Sequence, residues 1–358
     1  MNHRLKKIRD VLQELGVDAF ITGNPANRSY LSGFSGSAGL VIITMDDAVL
    51  ITDFRYLETA VQEAPHFTIR DRTNYSDPIV AIYDVLKEAK VTKIAIEEEA
   101  LTIAEYAKWK LVFSGMTLVP TSGIVENLRM NKDEEEVKTI KQAIRITEDA
   151  FDHVLSFVRP GIRELDIAIE LETFIRKQGA VSAFEMIVAS GTRGALPHGK
   201  ASEKTIAAGE MVTLDFGVNF NGYCSDITRT IAVGNPSDQM RKIYEVVLRA
   251  QQTAIQQLKP GMTAQELDSI SREVIAQAGY AKYTHRASGH SFGLEVHERP
   301  NLSISDKRVI EEGMVLTIEP GIYMRDVGGV RIEDNVFVTK NGCERLTNTN
   351  TELIILPI

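Results

Sequence analysis

Leu5, Ile8, Val11, Leu12 and Leu15 recur at helical spacing, so the first eighteen residues predict an amphipathic helix. "IVAIYDVLKEA", from Ile79, predicts another. The short apolar runs "DAFITG", "GLVIITM", "AVLITD" and "KIAIEEE" read as strands. Roughly the first 120 residues thus mix helical and strand patterns, as an α/β domain does. The polar stretch "VPTSGIVENLRMNKDEEEV" reads as a linker that enters a new helix. It divides the chain into 1–125 and 126–358, with the boundary between Ser122 and Asn131.

The second part repeats itself. "RPGIRELDIAIELETFIRKQG", from Arg159, matches "KPGMTAQELDSISREVIAQAG", from Lys259. Each opens on Pro-Gly, continues as an amphipathic helix and stops at a glycine suited to the C-terminal cap, Gly179 or Gly279. "GEMVTLDFG", from Gly209, then matches "GMVLTIEPG", from Gly313. Without gaps, Asp215 falls on Glu319 and Gly217 on Gly321. A second acid follows each after a turn: Asp226 in one copy, Glu333 in the other.

The first copy carries its acids on a hairpin. Val212, Leu214 and Phe216 alternate with Thr213 and Asp215, the period of a strand. Asn221-Gly222 is a strong turn signal, because both central positions of a type I′ turn need positive φ. With that turn, Phe220 pairs with Tyr223 and Thr228 with Asp215, and Asp215 and Asp226 share one face. Their backbones are diagonal neighbours, about 7–8 Å apart. Two like charges so placed would repel and raise one pKa strongly, and a cation between them removes the conflict. On the hairpin alone, two solvated acids explain the residues as well as a metal site does. The repeat changes this. If two similar halves bury their hairpins against each other, Asp215, Asp226, Glu319 and Glu333 converge, and such a cluster is prohibitively costly without cations. Two divalent ions satisfy it, and carboxylates with one imidazole suit Mn²⁺, Fe²⁺, Co²⁺ or Zn²⁺.

Composition narrows the setting. With 358 residues, two domains are the expectation; 44% hydrophobic and 25% charged residues are ordinary for a soluble protein. A net charge of −9 and no long basic run argue against a nucleic-acid surface. No apolar stretch approaches the length of a membrane span, and the N-terminus lacks the pattern of a signal peptide. Cys224 and Cys343 form no disulfide framework. A cytoplasmic location is the expectation.

The nitrogen ligand is sought in "HRASGHSFGLEVHERP", which holds His285, His290 and His297, three of the seven histidines. His290, between Gly289 and Gly293, is the candidate. His198, in the loop "ALPHGKAS", is a candidate substrate group. Arg331 alternates with Glu333 in "GGVRIED" and shares its face, where it could hold a bridging carboxylate.

At these residues the chain resembles the pita-bread metallopeptidases, in particular the X-Pro branch of aminopeptidase P and prolidase. "VTLDFG…SDITRT", "GHSFGLEVHE", "TIEPGIY" and "GGVRIEDN" carry the resemblance, and "YLSGFSGSAG" and "TDFRY" resemble the creatinase-type N-terminal domain. It implies an α+β pita-bread catalytic domain with a pseudo-twofold repeat, preceded by a creatinase-like α/β domain. It implies five metal ligands: Asp215 on one ion, Asp226 and Glu333 bridging, His290 and Glu319 on the other. The ions would be two per chain, Mn²⁺ first and Co²⁺ or Zn²⁺ as alternatives. A bridging hydroxide would attack the peptide carbonyl. Glu319 would shuttle a proton, His198 and His297 would face the substrate, and Arg331 would support the ligands. Substrates would be proline-containing peptides, and the assembly a homodimer. One position departs from the family: relatives commonly carry a histidine four residues before the ligand histidine, where this chain has Arg286, with His285 one further back. Either residue is therefore a candidate for substrate binding. Arg286, with Arg299 as a second choice, is a candidate reader of a free carboxylate after proline, which would separate an Xaa-Pro dipeptidase from an aminopeptidase P. Two readings compete: creatine amidinohydrolysis, which uses this fold without metals, and a silent binding module. The intact ligand set disfavours both.

Overall fold

The computed structural model describes residues 2–358. It forms two compact units, divided between Arg129 and Met130. In the first, six strands form one mixed sheet in the order Thr68–Asp71, Ala48–Thr52, Leu40–Thr44, Ala19–Thr22, Lys93–Glu97, Thr117–Thr121. Its helices include Asn2–Leu15 and Pro78–Glu88, both predicted by periodicity. The stretch read as a linker is instead largely ordered: Thr117–Thr121 is an edge strand and Ile124–Arg129 a helix. That helix belongs to the first unit. Val125 is fully buried, and Arg129 donates to Asn27 Oδ1 at 2.7 Å. The next helix, Glu134–Leu155, is closed by a capping box between Asp133 and Glu136, the acidic run that sequence alone reads as charged linker.

In the second unit the duplication is visible in the backbone. Helices Glu164–Lys177 and Ala264–Gln277 occupy matching places. Gly161 N–H donates to Ile206 O at 2.8 Å, and Gly261 N–H to Ile310 O at 2.9 Å. Glu164 N–H donates to Lys204 O, and Ala264 N–H to Arg308 O. Gly179 and Gly279 end the helices with φ of +76° and +88°. Each half has a sheet packed on its own helices. In the first, Val212, Leu214, Phe216, Ile227 and Ile231 pack with Ile167, Leu171 and Ile175. In the second, Leu316, Ile318, Val336 and Val338 pack with Ala264 and Leu267. Alternation along the strands then sends Thr213 and Asp215, and Thr317 and Glu319, away from those cores.

Candidate metal centre

The hairpin has the expected register. Phe220 pairs with Tyr223 and Thr228 with Asp215, and Asn221 and Gly222 take φ of +50° and +86°. Asp226 itself is not inside a strand. It lies in the break between Tyr223–Cys224 and Ile227–Val233, so its disfavoured strand position is avoided. Glu319 likewise follows Val315–Ile318, and Glu333 sits between Gly328–Arg331 and Asp334–Thr339. Asp215 closes the strand Glu210–Phe216 at its penultimate residue, and His290 lies in Ala287–Ser291. All five residues therefore sit at or beside strand ends. Gly217 does more than leave room: an added Cβ would lie 1.9 Å from Ser225 O, so the close approach that holds Asp226 requires glycine.

Asp215, Asp226 and Glu333 each offer one carboxylate oxygen, and the three lie within 4.8 Å of one another. His290 Nε2 lies 3.6 Å from Asp226 Oδ2 and 3.3 Å from Glu319 Oε1. Asp226 thus belongs to both groups. Thr228 Oγ1 donates to Glu333 Oε2 at 2.8 Å, and Thr317 Oγ1 to Glu319 Oε1 at 3.3 Å. Burial and the neighbouring carboxylates push Asp226 and Glu333 far above the usual carboxylate range, and burial raises Glu319 despite Arg331.

The donor set fits divalent cations. Asp226 Oδ1 and Glu333 Oε1 are buried with no hydrogen-bond partner among the described residues. His290 Nδ1 lies 3.1 Å from Ser291 O; a carbonyl only accepts, so Nδ1 carries the proton and Nε2 presents its lone pair to two carboxylates. Burial lowers the His290 pKa, which holds the ring neutral. Acceptors facing acceptors in a buried site are a cost that a cation removes.

Arg331 takes a different place from the one its alternation with Glu333 suggests. Its Nη2 donates to Asp215 Oδ2, its Nη1 to Tyr323 OH at 2.8 Å and to Pro197 O at 3.1 Å. Its Nε donates to Thr228 Oγ1 at 3.1 Å and lies 3.8 Å from Glu319 Oε2. It meets Glu333 only through Thr228. Tyr323 is a site residue the sequence reading missed; its two-residue spacing from Gly321 was the available signal. Burial raises the pKa of its hydroxyl.

These groups open on a cavity of about 490 Å³. Asp215, Asp226, His290, Glu319 and Arg331 line it, with His198, His285 and His297. The His198 and His285 rings are 6.4 Å apart, and those of His290 and His297 4.5 Å. Burial of the ring, then His290, lowers the His297 pKa. His285 thus reaches the cavity. Arg286 is exposed and is not among the lining residues, and neither is Arg299. The strand Ala287–Ser291 begins immediately after Arg286, and of the two exposed residues before it only His285 borders the cavity.

Residues 138–340 match metallopeptidase family M24, and residues 4–131 match the creatinase/prolidase N-terminal domain. The chain belongs to metallopeptidase family M24. Its fold is the creatinase N-terminal domain followed by the pita-bread domain. An Xaa-Pro dipeptidase of Bacillus anthracis superposes with a TM-score of 0.96 at 45% identity, over 99% of each chain. An Xaa-Pro dipeptidase of Pyrococcus furiosus is 40% identical over 99% of this chain and 100% of its own. An X-Pro aminopeptidase of Thermotoga maritima superposes with a TM-score of 0.91 at 38% identity, over 96% of this chain and 99% of its own. Among the described residues no helix is long and apolar enough to cross a membrane.

Proposed function

We propose that this M24 metallopeptidase is an exopeptidase that hydrolyses the Xaa-Pro bond with two divalent ions. The orphaned oxygens of Asp226 and Glu333, with Asp226 lining a cavity rimmed by His198, His285 and His297, carry the reading. Asp215, Asp226, His290, Glu319 and Glu333 would hold the ions, with Asp226 and Glu333 shared. Bound there, divalent ions supply Lewis acidity, which acidifies water and polarises a carbonyl. Their charge also satisfies the buried oxygens.

The chain's own residues do the rest. Arg331 donates to Asp215 and so fixes the orientation of its carboxylate. Glu319 faces the cavity and is placed to take a proton from the attacking water and pass it to the proline nitrogen as the C–N bond breaks. Water thus supplies OH to the Xaa carboxyl and H to the leaving amine. His198 and His297, which line the cavity, would donate to the carbonyl oxygen as charge develops on it. An Xaa-Pro bond has no N–H, so it cannot be gripped as a strand; Phe184, Ile187 and Val296 supply an apolar wall for the proline ring instead. Among the described residues neither Cys224 nor Cys343 is in a disulfide, in keeping with a cytoplasmic setting. A homodimer and Mn²⁺ as the working ion belong to the same reading.

Chelation followed by dialysis is expected to abolish Ala-Pro hydrolysis, with Mn²⁺ or Co²⁺ restoring it. Full turnover in a preparation shown by elemental analysis to be metal-free would overturn the metal reading, and favour creatinase-like chemistry if creatine is cleaved.

A further inference from the structure

A peptide held with its Xaa-Pro bond at the metal centre ends either in a carboxylate just past proline or in a further amide. Something on the cavity wall must favour one. The fixed cations among the lining residues are Arg331 and Lys200. Arg331 is buried and committed to Asp215, Tyr323 and Pro197. Lys200 is not so confined. Its ammonium pairs with Glu185, which also lines the cavity, and the two side chains are 66% and 65% exposed. The backbone fixes where the pair sits. Lys200 bridges Ile187 in antiparallel register, beside the apolar wall, and follows the cavity residue His198 by two positions.

We propose that Lys200 is a specificity-determining residue that reads the C-terminal carboxylate of the substrate, leaving Glu185 to do so. The inference rests on the Xaa-Pro reading above. An exposed ion pair contributes little stability, so it opens readily. A substrate carboxylate is the same chemical group as the Glu185 side chain, so the exchange keeps one ion pair in place of another. An amide oxygen offers no charge and cannot displace Glu185. An approaching carboxylate that fails to recruit Lys200 meets Glu185 as a like charge. The wall therefore selects Xaa-Pro dipeptides over Xaa-Pro-Yaa.

The test compares Ala-Pro with Ala-Pro-NH₂ on the Mn²⁺-loaded enzyme, in wild type, Lys200→Met, Lys200→Arg and Glu185→Gln. The wild type is expected to prefer Ala-Pro. Lys200→Met is expected to reduce that preference about tenfold, the scale of one partly solvated charge-assisted hydrogen bond, and to do so through KM. Lys200→Arg should retain the preference, and Glu185→Gln should lower KM for Ala-Pro. An equal effect of Lys200→Met on both substrates, or a change confined to kcat, overturns the proposal. Calorimetric binding of N-acetylproline against N-acetylprolinamide separates this from the parent reading, because it needs no turnover. A carboxylate preference that Lys200→Met abolishes supports the role of Lys200 even if Ala-Pro is not cleaved. No preference in the wild type refutes it even if Ala-Pro is.

Discussion

Asp226 Oδ1 and Glu333 Oε1 make the metal centre testable atom by atom. Each is buried without a hydrogen-bond partner among the described residues, and Asp226 stands in both donor groups. Asp226→Asn keeps the shape and removes the charge, so the fold should persist while bound metal falls from the proposed two ions per chain to one or none. Elemental analysis after gel filtration reads this directly. Two ions retained with normal turnover would show that Asp226 is not shared. At this scale the sequence reading was uneven. It brought together all five acid and imidazole residues, because their order and spacing survive in the linear chain. It placed Arg331 against a bridging carboxylate, whereas Arg331 holds Asp215 and reaches Glu333 only through Thr228. It left His285 and Arg286 as alternatives for the cavity, and only His285 lines it. Alternation gives the face a residue shares, but not the partner it meets across the interface between two sheets.

Among the elements, the hairpin depends on one close backbone approach. Gly217→Ala forces a Cβ to 1.9 Å from Ser225 O, so either Ser225 moves or the strand does. Overpacking of this kind costs about 1–3 kcal/mol. Urea unfolding should show that loss, and because Ser225 precedes Asp226 the same variant should bind metal less tightly. Unchanged stability and affinity would mean that the break before Ile227–Val233 absorbs the methyl group. The turn and register were legible because Asn-Gly and strict alternation are local signals. The helix Ile124–Arg129 was not: its sequence is polar and short, and the burial of Val125 and the bond from Arg129 to Asn27 decide it.

For the whole molecule, metal and proton compete for one cluster. Asp226, Glu333 and Glu319 have raised pKa values in the metal-free fold, chiefly through burial. A carboxyl raised on folding binds its proton more tightly in the folded state than in the unfolded one. Stability from these groups therefore rises as pH falls from their folded pKa towards about 4, and is lost as pH rises. Cations reverse the sign, because they bind only the ionised folded site and stabilise by about 2.7 kcal/mol at a hundredfold excess over Kd. Scanning calorimetry should show Tm of the chelated protein increasing from about pH 7 to about pH 5.5, and Tm of the Mn²⁺-loaded protein decreasing over the same range. Parallel curves would show that the cluster does not hold the metal.

Sequence by itself determined the α/β pattern of the N-terminal part, the duplication, the hairpin and the identity of the metal-ligand candidates. These rest on periodicity, turn chemistry and residue order, all of which act over a few neighbours or repeat along the chain. Only the tertiary structure decided that Asp226 stands in a strand break, that Arg331 pairs with Asp215, and that His285 and Lys200 rather than Arg286 face the cavity. Each of those outcomes depends on atoms brought together from segments distant in sequence, where burial and close backbone contact select one partner among several that local pattern allows.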